Sequence, residues 1–241
     1  MTVTAALGVA AILAVASCAQ VITGFGYSLL SVPLLGLIIG PVDAVVGSAI
    51  LVSLVNLVVA VRDRAHVRWP IARTVLIAGL TGLPLGLWLL TLLPPRALSI
   101  MIAVVVLAGT AAIWRGLRLT PRPVTIAAAG LLAGVLTTSV GVNGPPLAAV
   151  FSAMGLPPRP FRATLAAVFV PVTLGGLLGF AVTGVITHVA WLVTAIGIPA
   201  VTLGWLVGDR IFARLTSFRT VVLCALLLAS VVTLARAILA G

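Results

Sequence analysis

The chain has 241 residues, 62% of them hydrophobic and only 7% charged, with a mean hydropathy of +1.37 and a net charge of +11. Soluble domains carry about 25% charged residues, so these few cannot clothe a soluble 24.5 kDa globule, whereas hydrocarbon needs no polar surface. The positive charge does not indicate nucleic acid either. It is all arginine, mostly in short gaps between apolar runs, the footprint of the positive-inside rule and not of one basic face.

In chain order, the first apolar run covers 3–39. It lacks a basic leader, so Met1–Ile22 reads as a first membrane helix and not as a cleaved signal peptide. The run is too long for one helix and breaks at Thr23-Gly24-Phe25-Gly26, which leaves the short stretch 27–39. Runs 42–61, 71–92 and 98–114 follow, separated by the basic loop Arg62–Pro70 and by Leu93-Pro94-Pro95-Arg96. The arginine-rich loop Arg115–Pro123 leads into the run 124–155, again too long and broken across Ser139–Pro146, leaving 147–155. A proline-rich loop, Leu156–Arg162, precedes runs 161–184, 187–208 and 220–239. Between these lie an uncharged break, Gly184–His188, and the basic loop Asp209–Arg219. The full runs reach or approach the ~20 residues of a membrane helix, while the two short stretches cannot span a core of about 30 Å as straight helices at about 1.5 Å per residue.

The arginines choose the topology. If 62–73, 115–122 and 209–219 are cytoplasmic and 93–97 and 184–188 are outside, the chain crosses an even number of times between 115–122 and 209–219. That requires 124–155 to cross twice, which also places Arg159 and Arg162 inside. The same logic for 3–39 places the N-terminus outside. The expected fold is an all-α integral membrane protein of about ten transmembrane segments, eight full and two short; re-entrant hairpins in place of the short crossings, 27–39 and 147–155, would give eight helices. Five crossings per half make a 5+5 inverted repeat with glycine-broken helices, 1–118 and 119–241 forming one membrane domain. Residues 24–57 and 141–172 support a duplication: a glycine break at Gly24/Gly26 and Gly141/Gly144, then Pro33-Leu34 and Pro146-Leu147, then Gly40-Pro41 and Gly155 to Pro158, aligned with a gap.

At these residues the sequence resembles the sulfite exporter TauE/SafE family of permeases. The carriers are Gly24-Phe-Gly-Tyr-Ser-Leu-Leu-Ser-Val-Pro33, Gly141-Val-Asn-Gly-Pro-Pro-Leu147 and Phe161-Arg-Ala-Thr-Leu165. The resemblance spans nearly the whole chain. It implies transport, often export, of small sulfur-containing anions such as sulfite, sulfonates or sulfur-bearing carboxylates. The stretch Ser139–Gly144 is poorer in glycine than in many members, so the resemblance does not name the anion.

The two breaks are the expected substrate site. Unwound backbone at membrane depth is tolerated where it lines a cavity or is buried in protein. A helix starting there aims free N–H groups and a partial positive charge at an anion. The expected substrate contacts are Gln20, Thr23, Gly24, Gly26, Tyr27 and Ser28 in the first half, with Thr137, Thr138, Ser139, Gly141, Asn143 and Gly144 in the second. Arg162 is a candidate electrostatic anchor, although a snorkelling loop arginine is the commoner role. Asn56, mid-helix, needs a partner, either substrate or a neighbouring helix. Asp43 reads as a cap of helix 42–61, and Asp63 and Asp209 as loop ion pairs beside arginines. The stripes Gly82/Gly86 and Gly175/Gly176/Gly179 read as packing faces, Cys18 and Cys224 as small apolar packing residues.

The expected function is a secondary transporter of a small sulfur anion, working by alternating access, in the bacterial cytoplasmic (inner) membrane. No cofactor, metal or nucleotide loop is expected, because the chain has no lysine for a phosphate-binding loop and only three Asp and two His. The expected partners are the anion, the lipid bilayer, a coupling proton or other ion, and a second copy in a homodimer that uses small-residue stripes left over in one chain. An anion channel and an intramembrane enzyme are the competing readings. For the enzyme, Ser139 and His188 are the only tempting nucleophile–base pair, and no G-x-S-x-G elbow surrounds the serine.

Overall fold

The computed structural model describes residues 2–115 and 120–212. These form nine α-helices: α1 (Val3–Thr23), α2 (Gly26–Ile39), α3 (Pro41–Arg62), α4 (Trp69–Leu92), α5 (Pro95–Trp114), α6 (Pro123–Ser139), α7 (Gly144–Ala153), α8 (Pro158–Val182) and α9 (His188–Phe212). The expected helix 220–239, Cys224, Arg118 and the boundary at 118/119 lie outside the described residues. Proline stands in the first turn of α3, α4, α6, α7 and α8, where its fixed φ suits the helix and its missing N–H costs nothing. Thr2 caps α1, its Oγ1 accepting the Ala5 N–H at 3.3 Å.

Six of the described helices, α1, α3, α4, α5, α8 and α9, are long and apolar enough to cross a membrane. Three are shorter: α2 with 14 residues, α6 with 17 and α7 with 10. The full-length helix expected over 124–138 is therefore corrected to a segment of about 25 Å, short of a core of about 30 Å. Large apolar side chains such as Leu7, Leu85, Leu178, Val182 and Leu203 are exposed on the bundle's outside, a surface suited to lipid. Trp69 and Trp191 are exposed at the starts of α4 and α9, where aromatic rings anchor a helix at the headgroup level.

Backbone contact sets the packing. α4 lies along α6 and α1 along α9. A methyl group on Gly134 would stand 1.9 Å from the Gly79 carbonyl oxygen, one on Gly86 2.0 Å from that of Val135, and one on Gly204 2.0 Å from that of Ala14. Only glycine permits these approaches. The stripes read from the sequence as packing faces are therefore used within one chain. Gly82 and Gly86 face α6, Gly175 and Gly179 face Leu83 and Leu87 of α4, and Gly176 faces Thr137 and Thr138. These stripes are packed against helices of the same chain.

The same neighbours recur when each helix is advanced by five. α1 on α9 matches α6 on α4, α3 on α9 matches α8 on α4, and α1 on α2 matches α6 on α7. Gly141 follows Gly24 by 117 positions, and Pro158, the first residue of α8, follows Pro41, the first residue of α3, by the same 117. This register needs no gap. It also corrects one pairing from the sequence: Pro33 lies inside α2, whereas Pro146 lies in the first turn of α7.

The two ends of α3 mark two ends of the bundle. At its C-terminal end Arg62 meets Asp209 at 3.5 Å and Asp63 meets Arg162 at 3.8 Å. Both acids are paired as expected, but across the bundle and not within their own loops. Arg62 also lies over the Trp205 ring at 5.9 Å. At the other end Asp43 accepts a hydrogen bond from the Thr187 hydroxyl. Its expected capping role is corrected: Gly40 is the N-cap of α3 and no side chain caps that helix, although Asp43 still sits in the favourable first turn.

Candidate functional site

Both breaks turn on a glycine in the left-handed region, Gly24 at φ 84° and Gly141 at φ 69°. An L side chain rarely adopts this backbone, so it is where glycine is required. At the first break the chain repairs its own backbone. Gln20 Nε2 donates to the Gly24 carbonyl at 3.1 Å, and Gln20 Oε1 accepts the Tyr27 N–H at 3.0 Å. Thr23 Oγ1 accepts the Gly26 N–H at 2.9 Å and the Phe25 N–H at 3.4 Å, while donating to the Ala19 carbonyl at 2.8 Å. Three of the N–H groups at the start of α2, those of Phe25, Gly26 and Tyr27, are thus occupied by Thr23 and Gln20. At the second break, two of the first three residues of α7 are proline, Pro145 and Pro146, and carry no N–H. Fewer backbone N–H groups than expected are thus left to an anion, beside the side chains that the sequence also offers.

The expected site residues divide into two groups. In the first, Gln20 Nε2 also donates to Asn56 Oδ1 at 2.8 Å, so Asn56 finds its partner on α1. Arg162 lies over Gly24, with its Cγ 3.0 Å from where a Cβ on that glycine would be. Its side chain is 13% exposed and paired with Asp63. Gly26, Tyr27 and Ser28 are buried in the first turn of α2, and the Tyr27 hydroxyl has no hydrogen-bond partner among the described residues. In the second group, Asn143 Nδ2 donates to Thr137 Oγ1 at 3.0 Å. Thr138 and Ser139 are turned to other uses. Thr138 Oγ1 donates to the Leu83 carbonyl of α4 at 2.8 Å, and Ser139 Oγ donates to the Val135 carbonyl of its own helix at 2.7 Å. His188 is exposed at the start of α9, so the tempting Ser139–His188 pair has neither a free nucleophile nor a buried base.

The groups meet through Phe25 and Gly144. A Cβ on Gly144 would stand 2.6 Å from the Phe25 Cβ. Phe25 also packs edge-on against Phe161 with centroids 6.4 Å apart, and Phe161 against Phe151 at 6.1 Å. This aromatic lining joins α2, α7 and α8, and reading the sequence for polar donors missed it. It also missed Asp63 as the partner of Arg162. The hydroxyl of Thr164 was missed too: it accepts the Arg68 N–H at 3.0 Å where α4 begins.

A polytopic apolar bundle with two interrupted helices joined in its interior is an architecture that membrane transporters use. A family model described as Sulfite exporter TauE/SafE matches residues 9–233, and the chain belongs to that family. It is a membrane transport protein and not an enzyme. A relative in Cupriavidus necator, described as "Probable sulfite/organosulfonate exporter TauE", is 27% identical over 215 residues, covering 85% of this chain and 83% of its own length. No solved structure matches the chain significantly.

Proposed function

We propose that the chain is a secondary exporter of a small sulfur-containing anion, sulfite or a sulfonate, across the bacterial cytoplasmic membrane. It works by alternating access between two five-segment repeats of opposite orientation. The anion sits between the two breaks, against Tyr27, Ser28 and Asn143, with Arg162 over Gly24 as its electrostatic anchor and the Gln20–Asn56 pair holding the first break in shape. The observation that carries this reading is the meeting of the breaks: Phe25 of one lies on Gly144 of the other, so movement of one half against the other reshapes both at once. The recurrence of helix neighbours on advancing by five, and the constant register of 117, support the repeat. The gathering of Arg62, Arg162 and Asp209 at one end, with Thr187 at the other, supports the orientation read from the arginines. The relative's description supports the substrate class. A proton or another ion gradient is the simplest energy source.

The test is uptake of radiolabelled sulfite, thiosulfate, a short sulfonate and acetate into proteoliposomes, for wild type and for Gly24→Val/Gly144→Val. Saturable uptake of a sulfur anion that shows counterflow and vanishes in the variant is expected. Uptake without counterflow would make the protein a channel, and movement of acetate alone would make the substrate class wrong.

A further inference from the structure

The 117-residue register pairs Gln20 with Thr137 and Asn56 with Thr173. In the first half, the two carboxamides of Gln20 and Asn56 reach each other and hydrogen-bond at 2.8 Å. In the second half the equivalent positions carry hydroxyls set on Cβ, too short to span the same gap. Thr137 is satisfied locally, donating to the Ala133 carbonyl at 2.7 Å and accepting from Asn143. Thr173 is not. It is 2% exposed, and its Oγ1 has no hydrogen-bond partner among the described residues. Other buried helical threonines, Thr110, Thr137 and Thr194, donate to the carbonyl four residues back, so the orphan is not a habit of threonine in this bundle. A buried hydroxyl with no partner costs free energy and calls for an explanation.

Gly176, one turn further along the same face of α8, stands against the methyl groups of Thr137 and Thr138, at 3.6 and 3.1 Å from its would-be Cβ. Thr173, on the same face one turn earlier, is turned towards the end of α6 that carries Thr137. The donors there are the Thr173 hydroxyl and the second N–H of the Asn143 carboxamide. The chain's acids are all held at helix ends, Asp43 at Thr187, Asp63 at Arg162 and Asp209 at Arg62, so this corner offers donors and no carboxylate for a cation.

We propose that the Thr173 hydroxyl donates a hydrogen bond to an oxygen of the transported anion, in the gap that the Gln20–Asn56 bridge fills in the other half. This rests on the exporter reading above and deepens it, making the site asymmetric: the first break is closed by its own side chains, and the second is completed by the substrate.

The experiment compares sulfite transport in proteoliposomes, and sulfite-induced thermal stabilisation in detergent, for wild type, Thr173→Val, Thr173→Ser and the control Thr194→Val. Thr173→Val is expected to raise KM for sulfite about tenfold, the loss of one hydrogen bond to a charged group. It should lose most of the ligand-induced stabilisation while being at least as stable as wild type without ligand. Thr173→Ser should stay within about twofold of wild type because it keeps the donor, and Thr194→Val should leave KM unchanged. A wild-type KM in Thr173→Val overturns the proposal and leaves the exporter reading intact. A ligand-free Thr173→Val that is less stable than wild type also overturns it, by giving the hydroxyl a structural partner. Wild type moving no sulfur anion overturns the exporter reading, and this proposal falls with it.

Discussion

Phe25, in the break between α1 and α2, covers Gly144, the first residue of α7, so closely that a methyl group there would stand 2.6 Å from the Phe25 Cβ. Gly144→Ala should therefore destabilise the protein by about 1–3 kcal/mol through overpacking and abolish uptake. Phe25→Gly in the same chain should restore part of that stability, since it removes the obstructing Cβ together with the ring. A double-mutant cycle by thermal unfolding in detergent reads the coupling. If the two changes were simply additive, the breaks would not be in contact.

Gly24 should tolerate little. Its φ of 84° strains any L residue, and Arg162 Cγ waits 3.0 Å from the new Cβ. Gly24→Ala should cost about 1–2 kcal/mol from the backbone alone. Gly24→Asn should cost less backbone strain than Gly24→Val, because asparagine visits the left-handed region more readily than a β-branched residue. Equal melting temperatures for the Asn and Val variants would refute the backbone account.

The two ion pairs at the C-terminal end of α3 should differ in weight. Arg62–Asp209 is exposed, 57% and 37% for its two side chains, and Arg62→Gln should change stability by no more than about 1 kcal/mol. Asp63–Arg162 is mostly buried, 17% and 13%. Asp63→Asn should cost more than the exposed pair, because it leaves the Arg162 charge poorly compensated. The exchange Asp63→Arg/Arg162→Asp should recover part of that loss. Stability of the three variants at low and high salt is the measurement, and salt sensitivity confined to Arg62→Gln is expected.

Gln20 carries three hydrogen bonds that hold the first break: to the Gly24 carbonyl, from the Tyr27 N–H and to Asn56. Gln20→Leu should leave buried groups unsatisfied at about 1–3 kcal/mol each. The expected outcome is a poorly folded protein by size-exclusion chromatography. Asn56→Leu alone should be milder, since it removes one partner and leaves the repair of the backbone in place. The reverse ranking would mean that Gln20 is not the staple of the break.

Orientation can be read in cells. With Cys18 and Cys224 replaced by alanine, a cysteine at Thr183, exposed at the end of α8, should react with a membrane-impermeant maleimide from outside. A cysteine at Arg64, exposed after α3, should react only once the membrane is opened. Labelling of both from one side would break the parity argument built on the arginines.

Much of the fold was legible because hydropathy and loop chemistry are local. The apolar runs, the breaks at Gly24 and Gly141 and the packing role of Gly82, Gly86 and Gly176 all follow from residues read in place. Asn56 was legible only as a group needing a partner. That the partner is Gln20 depends on α1 and α3 meeting at one height. That three of the N–H groups at the first break are already taken was hidden for a similar reason. Thr23 and Gln20 stand one turn and two turns back on the preceding helix, and only the geometry of the bend shows that their oxygens reach forward.

The sequence by itself determined the apolar segments and their interruptions, since a low charge content and long apolar runs suit a chain to lipid. Tertiary structure alone decided which polar groups would be satisfied. Glycine lets α4 reach the backbone of α6, and α9 that of α1, and these approaches set which side chains face each other. From that arrangement come the Gln20–Asn56 bond, the Asp63–Arg162 pair and the hydroxyls of Tyr27 and Thr173 that have no partner among the described residues. Each depends on contacts between segments far apart in the chain, which no local pattern encodes.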